Sequence, residues 1–392
     1  MSAWLQKNGS LAVIVVLIIC GQFQSALIPF FLGALVDDIL LSVPQASDIV
    51  AAGTGGSVLG TLLVFFKGHL WDRRRMIRVA LLLLFSSNLC SFWLHTYYLL
   101  MVLVFISGVG SGAIIALCSA ALADSDNPAR RFGLVMMSLS TVNAMMLYLV
   151  ASVIDHIGVN AIFSVLFIAS VLGGLLSSGF PRFIRQRTQS KVHRVDHCQA
   201  ALAIVATFII FTGFASFWPF VERMATEAGI AKGAISLSYS MAAFAGVLSG
   251  LLANVVGERF GYLWPIIVSC GLLVIAAVAV TYHLNDRSIL VLVPSFLFSY
   301  LSMLVFNNAH LAKLDSSGRV LVLGSFVETG GWFVGPLLAG QVLRAGGDYL
   351  TLFGVVVATI MAYLILKITA SVIATRACVS QDRSDSLIAA DG

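Results

Sequence analysis

Apolar runs of about 20 residues recur along the whole chain, separated by short polar stretches that hold most of its charges. At 1.5 Å per residue, such a run covers a hydrocarbon core of roughly 30 Å as a helix. Twelve runs are predicted to be helices: 11–34, 46–66, 77–94, 97–122, 132–153, 161–180, 199–220, 234–256, 263–283, 289–311, 321–343 and 349–371. Stretches such as Leu11 to Leu32 and Val79 to Trp93 show no polar alternation, so they do not fit the ten-residue strands of a membrane barrel. The pattern predicts an all-α polytopic membrane protein with twelve transmembrane helices. The first run is too long for a signal-peptide core and no small-residue cleavage site follows it, so it is expected to be retained.

Composition agrees with this pattern. Of 392 residues, 59% are hydrophobic and 10% charged, whereas soluble domains are roughly half apolar and a quarter charged. All but four of the 23 Lys and Arg residues fall on the side that carries the N-terminus; the exceptions are Arg223, Lys232, Arg287 and Arg344. This bias predicts that both termini are cytoplasmic and that the number of spans is even. The net charge of +5 calls for no nucleic-acid partner, because the basic residues sit in short loops where they orient helices. Six scattered cysteines suggest neither a disulfide framework nor a metal site. His193, His197 and Cys198 have helical ligand spacing but lack a second half, so a solvated linker is the simpler reading. No cofactor is expected.

The longest polar segment between spans, PRFIRQRTQSKVHRVDHCQ (181–199), divides the chain. The expected organisation is an N-terminal six-helix bundle (1–180), a cytoplasmic linker (181–198), a C-terminal six-helix bundle (199–375) and a cytoplasmic tail (376–392). A weak internal repeat supports two related halves. DNPAR (Asp126 to Arg130) after the fourth span is echoed by DSSGR (Asp315 to Arg319) after the tenth, an offset of 189 residues. Asp72 and Arg73 after the second span are echoed by Glu258 and Arg259 after the eighth, an offset of 186.

The loop GHLWDRRRM, Gly68 to Met76, resembles the G-x-L-x-D-R-x-G-R signature of the major facilitator superfamily, matching it at Gly68, Leu70, Asp72 and Arg73. Position, span count and the echo at Glu258 and Arg259 extend the resemblance over the whole chain. It implies two pseudo-symmetric six-helix bundles and a secondary transporter working by alternating access. It also implies a role for Asp72 in holding the halves together on the cytoplasmic side. Arg74 and Arg78 are read as following only the charge bias. The sequence departs from the family pattern twice. Four residues before the GVGSG run of the fourth span, where the family often has an arginine, stands Val104. The fifth span lacks the antiporter G-x-x-x-G-P run, while a similar run, GWFVGP, occupies Gly331 to Pro336 of the eleventh.

One carboxylate stands out. The inventory of spans places Glu328 alone at depth, eight residues or roughly 12 Å into its span, with every other acid and every Lys or Arg in loops, tails or first turns. An ionisable side chain there costs at least about 2.5 to 3.5 kcal/mol, which makes it a functional candidate. Ser325, Glu328, Trp332 and Gly335 recur at helical spacing and are expected to share a face. A carboxyl so far from water suits proton uptake and release; the competing reading is a structural Glu bonded to another helix.

Other polar residues expected in a central cavity are Gln22, Gln24, Asn143, Tyr148, Asn307 and Asn308, each of which could instead make an interhelical hydrogen bond. Phe214, Phe217 and Trp218 could line the cavity for a planar substrate, although Trp218 would also suit an aromatic belt. Asp37 and Asp38 read as solvated caps, and His310 as a further titratable group. With no basic residue deep in a span, a strongly anionic substrate is not expected.

Together these features predict an inner-membrane transporter of a small organic solute, acting as a monomer with protons as partner. The alternatives are an uncoupled facilitator and a sensor or accessory subunit on the same fold. A membrane enzyme is not expected, because no nucleophile, base and orienting group occur at one depth.

Overall fold

The computed structural model describes residues 2–67, 71–123, 128–180, 197–256, 262–314 and 319–390. Each of the twelve apolar runs is helical, three of them in two pieces. The N-terminal half holds α1 (Ser2–Ala26) with α2 (Ile28–Asp37), α3 (Val43–Lys67), α4 (Arg73–Ser91), α5 (Tyr97–Ala123), α6 (Pro128–Ile157) and α7 (Asn160–Leu176). The C-terminal half holds α8 (His197–Phe217) with α9 (Val221–Glu227), α10 (Lys232–Ala243) with α11 (Ala245–Val256), α12 (Leu263–Tyr282), α13 (Ile289–Leu314), α14 (Arg319–Arg344) and α15 (Tyr349–Ala390). Among the described residues, nine helices are long and apolar enough to cross a membrane, or ten with the bent pair α1 and α2.

Several spans are broken. α1 and α2 meet at 46°, where Pro29 in the first turn of α2 has no N–H to offer the turn before it. The seventh span passes through a tight turn at Trp218–Phe220, which contains Pro219, before α9. α15 runs to Ala390, well beyond the apolar stretch that ends at 371. Its start is capped by Asp348, which accepts from the Thr351 amide at 2.9 Å and hydroxyl at 2.8 Å. Those bonds hold the Asp348 carboxyl below its ordinary range.

Close packing within each half depends on small residues. α3 lies so near α5 that a Cβ on Gly56 would collide with the Phe105 carbonyl, and one on Gly108 with the Gly53 carbonyl. The GVGSG run thus brings two backbones together. Val104, at the position of the family arginine, is buried in the same contact against Gly53. In the other half Gly331 and Gly335 of α14 fit against Phe211, Thr212 and Ala215 of α8, which gives the GWFVGP run a packing role. The halves meet chiefly through α3 with α14, α6 with α10, and α2 with α9.

Candidate functional site

Glu328 projects from α14 into a polar cluster of the C-terminal half. Its carboxyl lies beside the Asn308 side chain of α13, and Oε1 is buried with no hydrogen-bond partner. Asn307, fully buried, donates to Thr207 Oγ1 of α8 at 3.2 Å and accepts from the Tyr363 hydroxyl of α15 at 3.1 Å. Four helices therefore converge on the two asparagines. One turn on from Glu328, the Trp332 indole packs edge-on against Phe214 at 5.6 Å. Ser325 is exposed one turn before Glu328.

The three aromatic residues of the seventh span are buried. Phe214 stacks on Tyr300 at 3.5 Å and on Phe296 at 5.3 Å, Phe217 packs on Phe296 at 5.7 Å, and Trp218 stacks on Phe214 at 5.7 Å. Trp218 is only 7% exposed, so the aromatic-belt reading is overturned by packing of this indole against the protein core. Of the expected cavity residues, Glu328, Asn307, Asn308, Trp332 and Phe214 come together.

Gln22, Gln24, Asn143 and Tyr148 do not join them. Gln24 belongs to a network of the N-terminal half: its amide donates to the Val104 carbonyl at 3.4 Å and accepts from Ser107 Oγ at 3.2 Å, and Ser107 accepts from Asn88 at 3.0 Å. This is the interhelical bond that the polar spacing allowed. Gln22 is half-buried on α1, Asn143 on α6 has a buried Oδ1 without a partner, and Tyr148 is exposed.

Lys367 corrects the expectation that no base lies deep. It sits on α15, 1% exposed, with Nζ 3.1 Å from His310 Nδ1 of α13 and 5.6 Å from the Tyr363 ring centre. Two nitrogens at that distance share one proton between them, so the pair carries a single positive charge at most. Its position at the end of the last apolar run made Lys367 look like a loop residue. No spacing in α15 announces His310 as its partner.

The loop residues of the family signature fall partly outside the described residues, namely Gly68, Asp126, Glu258, Arg259 and Asp315. Arg130 lies in the first turn of α6 and Arg319 opens α14, with their side chains outside the described set. Asp72 caps α4, accepting from the Arg74 amide at 3.2 Å, and Arg73 is buried. Arg74 does more than follow the charge bias, because its Nε donates to the Phe180 carbonyl and ties α4 to the end of the sixth span.

Bonds between the halves gather on the face away from the N-terminus. Arg344 of α14 pairs with Asp48 of α3, and the Tyr97 hydroxyl donates to Asp48 at 2.8 Å. Ser47 Oγ donates to the Pro336 carbonyl at 2.6 Å. Arg223 of α9 pairs with Asp37 of α2 and, at 2.8 Å, with Glu227. Two of the four basic residues counted on this face thus bridge the halves. Asp37 and Asp38 are exposed at the end of α2, as expected of solvated caps, and each also has a partner: Asp37 pairs with Arg223, and Asp38 accepts from the Val159 amide at 2.6 Å. Sequence reasoning missed this seal because each pair joins residues far apart in the chain.

An all-helical protein in two halves, with bonds between them gathered at one face, is an arrangement that can be compared with solved folds. Residues 13–195 match the family model described as Major Facilitator Superfamily. Solved structures of the same fold include the nucleoside transporter NupG, in a point-mutant form, at 10% identity and TM-score 0.71, covering 93% of this chain and 98% of that one. The POT family transporter PepTSo aligns at 11% identity and TM-score 0.72, covering 92% and 97%. A D-xylose-proton symporter aligns at 16% identity and TM-score 0.68, covering 91% and 97%. The family match covers just under half of the chain, and the fold over nearly its whole length is the one these solved transporters share.

Proposed function

We propose that this protein is a secondary transporter moving a small organic solute by alternating access of its two halves, with a proton bound at Glu328 as the coupling ion. Glu328 is the observation that carries this reading: a carboxylate within an apolar helix, beside Asn308 and with Oε1 buried and unpaired. An acid so placed binds a proton or a donor group of the substrate, and no structural bond satisfies Oε1. The bonds between halves on the face away from the N-terminus correspond to a conformation closed on that side.

The solute would bind between the halves near Glu328, Asn308 and Trp332. Lys367 does not make the site cationic, because it is buried against His310. A neutral, zwitterionic, cationic or weakly acidic aromatic solute therefore fits better than a strongly anionic one. The charge bias of the loops supports a bacterial inner-membrane protein with both termini in the cytoplasm, acting as a monomer of two bundles, 1–180 and 199–375.

The test is solute flux in proteoliposomes under an imposed pH gradient. Glu328→Gln is expected to abolish the gradient-driven component while leaving counterflow measurable. An unchanged response to the gradient would sink proton coupling at this residue.

A further inference from the structure

Glu222 is a second buried acid, and it lies between the halves. It projects from α9 onto Gly33 of α2, where a Cβ on that glycine would collide with Oε2. Thr226 Oγ1 donates to Oε1 at 3.0 Å, while Oε2 is shut off from solvent with no hydrogen-bond partner. Both residues line a cavity of about 280 Å³ at the sealed face, bounded by α2, α6, α9 and α10.

The charged residues lining this cavity are Asp37 and Asp38 of α2, Lys232 of α10 and Glu222 itself, with His156 of α6. Arg223 of α9 lies beside them, already paired with Asp37 and with Glu227. Tyr239 of α10, whose hydroxyl is also buried without a partner, is the neighbouring titratable group. A further negative charge at Glu222, with one oxygen undonated and pressed against the Gly33 backbone, is unfavourable.

We infer that Glu222 is a proton-binding site of the gate: it carries a proton when the halves close on this face and gives it up when they part. On closing, the carboxylate takes a proton from hydronium and leaves water. On opening, the carboxylic acid returns the proton to water as the cavity floods. The bare face of Gly33 is what lets the acid form seat against the opposing half. This site goes beyond the coupling acid Glu328 and rests on the reading that the halves alternate.

The experiment is a distance measurement in lipid nanodiscs between spin labels at Leu40→Cys and Arg287→Cys, exposed positions on the two halves, in a full-length variant lacking native cysteines. In the parent, the ratio of closed to open populations is expected to fall as pH rises, by at most about tenfold per pH unit for one proton. Glu222→Gln, nearly the same shape, is expected to favour the closed state with a smaller pH response than the parent's, the remainder belonging to Glu328, and Glu222→Asp to keep the parent's response. Gly33→Ala, which displaces the carboxylate without changing its charge, is expected to lower the closed fraction at every pH and serves if Glu222→Gln does not purify. A pH response in Glu222→Gln equal to the parent's would overturn the inference, as would no response in the parent. A shift of equal size on adding sodium ions at fixed pH would overturn it too, by making the site one for a metal cation. Failure of alternation reads differently, as one fixed distance at every pH and solute concentration.

Discussion

Arg344 donates to both carboxylate oxygens of Asp48, at 2.7 and 3.2 Å, and joins α14 to α3 across 296 residues of sequence. The Arg344 side chain is 39% exposed and that of Asp48 16%, so solvent screens the pair and its worth is about 0.2 to 1 kcal/mol. One such pair biases a gate without locking it. Asp48→Asn is expected to lower the ratio of closed to open populations by at most about fivefold. The distance between spin labels at Leu40→Cys and Arg287→Cys measures this, and a collapse of the closed state would mean that the pair does more than its exposure allows.

The Lys367–His310 pair predicts an asymmetry. His310→Ala removes the acceptor from a buried ammonium and is expected to cost about 1 to 3 kcal/mol in thermal unfolding. Lys367→Met fills similar volume and leaves a His that can be neutral, so its cost is expected to be smaller, or the variant more stable. If the methionine variant proves the weaker of the two, the ammonium has a stabilising partner that this pairing does not account for.

Asn307 joins α8, α13 and α15 through Thr207 and Tyr363. Asn307→Ala strands buried groups on two neighbouring helices, at an expected cost of about 1 to 3 kcal/mol. Asn308→Ala, whose residue touches Glu328, is expected to affect gradient-driven flux more than the unfolding temperature. Measuring both quantities on both variants separates the structural asparagine from the functional one.

Glycine at 108 is a matter of backbone approach. Gly108→Val places a branched side chain against the Gly53 carbonyl and is expected to destabilise the N-terminal half by about 1 to 3 kcal/mol or more. Gly174→Val, at a position with open space around the added atoms, is the control in the same thermal-unfolding assay. Equal effects at the two sites would show that helix propensity rather than helix contact sets the cost.

The twelve helices were legible because each satisfies its own backbone hydrogen bonds within one apolar run, so length and composition suffice to define it. Glu328 stood out for a similar reason, since an acid inside such a run is costly wherever the helix packs. The sequence could not show that Asn308 rather than Gln22 or Asn143 reaches Glu328, because polar spacing within one helix does not name the neighbouring helix. Lys367 and Glu222 looked like end residues by position, yet packing shuts the Lys367 ammonium and one Glu222 oxygen away from water. Arg223 and Arg344 counted only toward orientation until the fold placed Asp37 and Asp48, 186 and 296 residues away, within bonding distance. Local chemistry along the chain thus determined the helices and singled out Glu328. The bonds between the halves and the buried pairs were decided only by which helices meet, because their energies depend on distance in space and on exclusion of water.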